Sequence, residues 1–201
     1  MTSSALKPRY PRPPMPSPRL YDDLSPLWPA ISPPEDYADE ARHWRAALRE
    51  HLGPDRNGRR HAILELGVGG GHNLSHLTAD FDATAVDLSP RMLENSRRLN
   101  PAVEHHVGDM RTVRLGRTFD AVLIHDAVDY LTTEDHLRAT FETAAVHLRP
   151  GGLLVCAPDW TRETCRDPQA TRRGPCGPDG DVTFVAYEHE PDPSDTTIEV
   201  G

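Results

Sequence analysis

At 201 residues and 37% hydrophobic content, the chain holds enough apolar material for one domain with a sizeable core, provided its polar excess sits in tails. A formal net charge of −9 and the lack of any dense Lys/Arg block argue against a general nucleic-acid binder, which needs a basic face to neutralise phosphates. No run reaches the roughly 20 apolar residues of a membrane span and no apolar stretch follows Met1, so a cytoplasmic setting and a small-molecule partner are expected, with no membrane partner.

Residues 1–20 are proline-rich and basic and offer almost nothing to bury, which predicts a disordered tail. Residues 21–54 differ. Leu24, Leu27, Trp28 and Ile31 lie among prolines that forbid a long helix, so this stretch is expected to pack onto something. Ser32 and Glu35 stand in capping-box spacing, Pro33 takes the first helical position and Gly53-Pro54 gives a stop. The helix so predicted has Tyr37, Ala41, Trp44, Leu48 and Leu52 as its buried stripe.

Over residues 55–160 strands and helices alternate. HAILEL (61–66) reads as a strand, LSHLTADF as a helix and DATAVDL (82–88) as a second strand. SPRMLENSRRLNP reads as a helix capped by Ser89 with Pro90 at its start. AVEHHVGDM and TFDAVLIHDA supply two more strands. TTEDHLRATFETAAVHLRPGG is a helix with Leu137, Phe141, Ala144 and Leu148 on one face, and LLVCAPD is a fifth strand. The alternation implies an α/β, Rossmann-like doubly wound sheet, mainly parallel and covered on both faces.

Residues 161–201 break this pattern. They are rich in charge, Gly and Pro up to 181, after which DVTFVAYEHE and TTIEV flank the turn signal PDPSD, as a hairpin would. The expected arrangement is a linker and a hairpin inserted before final strands that the chain lacks. That leaves the edge of the fifth strand, Leu153 to Ala157, unpaired, which favours a homodimer through the C-terminal region or a longer natural chain. Cys156, Cys165 and Cys176 are odd in number and form no CxxC pair, so neither a disulfide framework nor a zinc site is expected.

The segment LELGVGGGHNLSHL places glycines between a strand and a helix, where backbone N–H groups meet a ligand at the carboxyl edge of a sheet. Dinucleotides and S-adenosylmethionine are the competing ligands. The dinucleotide fingerprint GxGxxG fails in both registers, because His72 and Leu74 occupy its third glycine position. Glu65 followed by Gly67, Gly69 and Gly71 instead resembles the ExGxGxG motif of class I S-adenosylmethionine-dependent methyltransferases. TAVDLSPRML, HVGDMR and HLRPGGLLVCAPD resemble later segments of the same family. GDMRTVRLGRTFDAV and VDYLTT are similar to bacterial small-molecule members, including amino-sugar N,N-dimethyltransferases. Independently, Asp87 ends its strand about 20 residues beyond the glycine turn, where an acid holds ribose hydroxyls.

The resemblance implies S-adenosylmethionine as cofactor. It places Gly67 and Gly69 against the methionine part and Leu88 against adenine. Asp109 and Met110 would bind the adenine amine and ring edge, and Glu65 would touch the ligand or orient the turn. It also makes residues 21–54 a lid, which offers Tyr21 and Tyr37 as site residues. Methyl transfer is an in-line displacement that mainly needs positioning, with a base useful for some acceptors. At the end of the fourth strand His125 is the base candidate, and Asp126 either orients the following helix or binds substrate. HDAV lacks the prolines and aromatic of the DPPY-like motif that grips a flipped DNA base. His72 and His76 lack the Glu of HExxH and a third ligand, so no metal is expected. The rival reading is a catalytically impaired or truncated cofactor-binding protein that acts through association.

Overall fold

Short, mainly apolar runs become the centre of the sheet. Ala62–Leu66 (β1) and Phe119–His125 (β4) pair in parallel, and their Ile63, Leu64, Leu66, Val122, Leu123 and Ile124 are all fully buried. Asp82–Asp87 (β2) and Glu104–Val107 (β3) extend the sheet on the β1 side, and Leu148–Ala157 (β5) extends it on the β4 side. The order β3-β2-β1-β4-β5 is parallel throughout. Chain direction across the sheet reverses between β1 and β4, and such a switch point opens a crevice at the carboxyl ends of the strands. The computed structural model describes residues 18–55, 58–161, 169–177, 180, 182–189 and 199–200.

Helices cover both faces. Ala38–Leu52 (α2) buries Ala41, Trp44, Leu48 and Leu52 on one side of the sheet and stops at Gly53, whose φ is 72°. The predicted glycine-turn helix is a single turn, His72–Ser75 (α3), followed by bends. Pro90–Leu99 (α4) is capped as expected, with Met92 N–H donating to Ser89 Oγ at 3.1 Å. Glu134–His147 (α5) lies on the opposite face, its N-terminus capped by Thr133. The N-terminal strap holds a four-residue helix, Trp28–Ile31 (α1), between 3-10 turns.

Three local expectations fail for identifiable reasons. Consecutive prolines put Pro33 at the cap of a 3-10 turn, Pro34–Tyr37, so α2 starts only at Ala38 and Ser32 bonds the Tyr37 hydroxyl at 2.7 Å instead of capping. Helix α5 buries Thr140, Thr143, Ala144 and His147, leaving Phe141 39% exposed and Leu148 in β5. Hydrogen bonds turn it that way: Thr143 Oγ1–H donates to Arg111 O at 2.8 Å, and Leu115 N–H donates to His147 Nε2 at 2.9 Å. The third failure lies within 160–181, where Gln169–Cys176 (β6) forms a strand antiparallel to Val182–His189 (β7).

Strand β7 pairs with Glu199–Val200 (β8) as the hairpin reading requires, making a separate three-stranded sheet that packs on α1. The intervening PDPSD turn, Cys165 and residues 1–17 of the predicted tail lie outside the described residues, while Arg19 and Leu20 belong to an ordered 3-10 turn. Cys156 and Cys176 are free thiols. Among the described residues no helix is long and apolar enough to cross a membrane.

Candidate active site at the carboxyl edge of the sheet

One half of the site is made of backbone. Leaving β1, the chain turns at Gly67 (φ 80°), where a Cβ would stand 2.3 Å from the Ala127 Cβ. At Gly71 (φ 74°) a Cβ would meet Ser96 Oγ at 2.3 Å and Asn100 Nδ2 at 2.5 Å, so this glycine faces α4 and its role is close packing. Asn100 Nδ2–H donates to Gly71 O at 2.9 Å. Between them Gly69 N–H donates to Asp87 Oδ2 at 2.7 Å, and Ser89 N–H donates to Asp87 Oδ1 at 2.8 Å. Burial pushes the Asp87 carboxyl above its ordinary value, against the pull of those N–H donors. Each Asp87 oxygen keeps acceptor capacity for a ribose hydroxyl.

The residues expected around adenine lie along the same edge. Leu88 is 68% exposed beside Asp87, and Met110 packs on the core with its Cε 4.0 Å from where a Gly67 Cβ would stand. The Asp109 carboxylate is gripped by Arg111, whose Nε donates at 2.9 Å to Oδ1, and this pairing holds Asp109 below the usual carboxylate range.

The strap lies across the glycine turn. Trp28 sits on Gly70, where a Cβ would come within 2.7 Å of Trp28 Cδ1. Tyr21 bonds the Tyr130 hydroxyl, and its carbonyl accepts from Ser89 Oγ–H at 2.5 Å. Tyr37 turns its ring edge toward His72 and His125, with centroids 5.7 and 6.0 Å away. The His72/His76 pair serves this strap: His72 stacks under Trp28, and the His76 ring donates to Pro34 O at 2.8 Å.

The other half is acidic. Glu65 is 2% exposed, its Oε2 has no hydrogen-bond partner, and burial followed by the charges of Asp126, Asp87 and Glu40 pushes its carboxyl up to about 8. His125 is 7% exposed, with Nε2 2.7 Å from Glu40 Oε1 and 3.2 Å from Asp126 Oδ1, at angles that make no hydrogen bond. Asp126 adopts φ 47°, the one positive φ outside glycine among the described residues. Burial, then the charges of Asp159 and Glu40, raise its carboxyl to about 8. Asp159 N–H in turn donates to Asp129 Oδ2 at 2.9 Å.

Of the residues singled out from the sequence, the fold brings Tyr21, Tyr37, Glu65, Asp87, His125 and Asp126 together here, beside Glu40 and Asp159, which the sequence did not single out. Asp159 was within reach, since it follows the strand beside β4. Glu40 carries no sequence signal beyond being an acid in the first turn of a helix. The donor atoms of Glu40, His125 and Asp126 lie within 4.8 Å of one another. A tetrahedral metal with donors about 2.0–2.2 Å away holds them roughly 3.3 Å apart. The 2.7 Å between His125 Nε2 and Glu40 Oε1 is an ion-pair distance, shorter than two ligands of one metal would keep.

Comparison with known proteins agrees with this geometry. Residues 63–152 match the family of the methyltransferase domain. A dTDP-3-amino-3,4,6-trideoxy-alpha-D-glucopyranose N,N-dimethyltransferase from Streptomyces venezuelae is 38% identical over 135 residues, which is 66% of this chain and 55% of the relative. The chain spans about half the length of the curated relatives it matches. The crystal structure of Streptomyces venezuelae DesVI aligns at 30% identity with a TM-score of 0.67, covering 89% of this chain and 80% of that one. CalS10, an amino pentose methyltransferase from Micromonospora echinaspora solved with S-adenosylmethionine bound, aligns at 28% identity and a TM-score of 0.65, over 82% of this chain and 75% of its own. The glycine turn, the acid ending β2 and these alignments together show that the chain belongs to the class I S-adenosylmethionine-dependent methyltransferases.

Proposed function

We propose that the protein transfers methyl groups from S-adenosylmethionine to the amino group of a small sugar-like acceptor. The observation that carries this reading is the charge of the acceptor side: the strongest charged neighbours of Glu65 and Asp126 are all carboxylates, which suits cationic nitrogen and a sulfonium. Relatives named as amino-sugar N,N-dimethyltransferases support it.

The cofactor, when bound, supplies a methyl carbon on positively charged sulfur. Asp87 holds the ribose hydroxyls through its free lone pairs. The turn at Gly67 and Gly69 presents bare backbone to the methionine part, and Leu88, Asp109 and Met110 flank adenine. Tyr21 and Tyr37 close the strap over both ligands and keep water out. The cofactor would supply the methyl and leave as a neutral thioether; the chain's own part falls to His125 Nε2, which would take a proton from the acceptor ammonium so that the nitrogen lone pair is free to receive the methyl.

The test is methyl transfer from labelled S-adenosylmethionine to a dTDP-amino sugar. His125→Ala is expected to lower kcat by about 10²-fold while leaving S-adenosylhomocysteine affinity unchanged. An unchanged kcat would remove His125 from the reaction and leave it a packing residue. A cytoplasmic setting belongs to the same reading. The outer edge of β5, unpaired among the described residues, supports a homodimer through the C-terminal region, which light scattering on the same sample would overturn by finding a monomer.

A further inference from the structure

We propose that Glu40, Asp126 and Asp159, closed by His125, form a cation seat that selects the acceptor as an ammonium ion over a neutral alcohol. The inference rests on the methyltransferase reading and adds two residues, Glu40 and Asp159, that set specificity without taking part in bond making.

Four separate elements converge to build the seat. Glu40 projects from the first turn of α2, His125 ends β4, Asp126 begins the turn after it, and Asp159 follows β5. Collecting carboxylates around the partly buried Glu40 and Asp126 is unfavourable, because partial burial and mutual repulsion both oppose their charge. Holding Asp126 at φ 47° adds backbone strain. Surrounding structure keeps such an arrangement only where a ligand draws on it.

Two buried atoms point to what is missing. His125 Nε2 is more than nine-tenths buried and faces the two carboxylates without making a hydrogen bond. Glu65 Oε2, buried at the end of the neighbouring strand, also has no partner and feels the charges of Asp126 and Glu40. The place therefore gathers more carboxylates than the single His125 ring can pair. An ammonium group is compact and carries up to three N–H donors, which matches carboxylate oxygens converging from different directions.

Position relates the seat to the reaction. Gly67, in the cofactor turn, packs against Ala127, the residue after Asp126. A nitrogen held by the seat thus lies beside the turn that faces the methionine part of the cofactor. An alcohol placed there would leave the carboxylates uncompensated.

Sinefungin and S-adenosylhomocysteine separate the two halves of the site, because sinefungin carries an amine where the methyl-bearing sulfonium would be and S-adenosylhomocysteine carries a neutral thioether. Calorimetric titration of the full chain should show sinefungin binding at least about tenfold more tightly, as expected for a charge-assisted contact. In Asp159→Asn and Glu40→Gln that ratio should fall toward one while S-adenosylhomocysteine affinity stays, which also shows that each variant is folded. Equal affinities in the unmodified protein, or a ratio that neither variant changes, would overturn the cation seat and leave the methyltransferase reading standing. Binding of neither ligand would overturn both. Zinc binding that is tight and lost in His125→Ala would replace the ammonium by a metal ion.

Discussion

The two halves of the crevice are built by different means. On the β1–β2 side, main chain does the work: Gly67, Gly69 and Gly71 set the turn, and the Asp87 carboxylate is anchored by N–H groups of Gly69 and Ser89. On the β4–β5 side, side chains from α2, β4 and the ends of β4 and β5 face one another with little backbone support. The first half is satisfied as it stands and tolerates little change in shape. The second is electrostatically unsatisfied, so its sensitivity is to charge. Variants that alter charge at one half and shape at the other therefore test whether this division holds.

The largest expected effect is a pH dependence of stability from Glu65. Its carboxyl stands at about 8 in the folded chain against the ordinary 4.5, with burial the main cause. Between those values the unfolded chain has lost the proton that the folded chain keeps, so stability is full below about pH 4.5 and falls as pH rises toward about 8. The loss over that window is on the order of 5 kcal/mol. Urea unfolding of Glu65→Gln should show a clearly flatter pH profile, with the remaining slope shared by the other raised carboxyls, Asp87, Asp126, Asp129 and Asp159. A profile parallel to the unmodified protein would mean that Glu65 is solvated and the acidic half is not as dry as described.

Shape governs the next effect. Gly71→Ala sets a methyl against Ser96 and Asn100 at positive φ, and overpacking with strain should lower stability by about 3 kcal/mol. Gly58 has nearly the same φ, 73°, with nothing near its Cβ position, so Gly58→Ala isolates the backbone part at about 1 kcal/mol. Equal losses at both sites would show that close packing on α4 does not explain the third glycine of the motif.

That division also decides what could be read from the sequence. A glycine turn and the acid ending β2 are local, and chain order carries them directly, so the cofactor half and the five parallel strands were legible. Ser89 was a readable cap for the same reason. The α5 face was misread because Thr143 and His147 turn inward to bond backbone of the loop before β4, a tertiary demand that outweighs the apolar spacing of Leu137 and Phe141. Strand β6 escaped because its sequence, QATRRGPC, has no alternation of its own and is ordered by pairing with β7. Glu40 and Asp159 stand far apart in sequence and meet only after α2 and β5 have docked.

The smallest expected effect concerns the strap that joins the halves. Tyr21 reaches from the cofactor side, where its carbonyl receives Ser89 Oγ–H, to Tyr130 on the turn after β4. Tyr21→Phe removes only the hydroxyl contact. Tyr130 is 57% exposed, so its freed hydroxyl can turn to water and the net loss should be about 1 kcal/mol or less. The ring stays packed on Trp28, at a centroid distance of 5.6 Å, and the carbonyl bond to Ser89 survives, so global stability should hardly move. The change belongs to opening: S-adenosylhomocysteine should leave about fivefold faster, in proportion to the lost contact, with an unchanged association rate. Stopped-flow displacement measures both rates. Slower association with unchanged dissociation would instead mean that the hydroxyl pair holds the strap shut before ligand arrives, so that Tyr21 acts as a gate and not as a clasp.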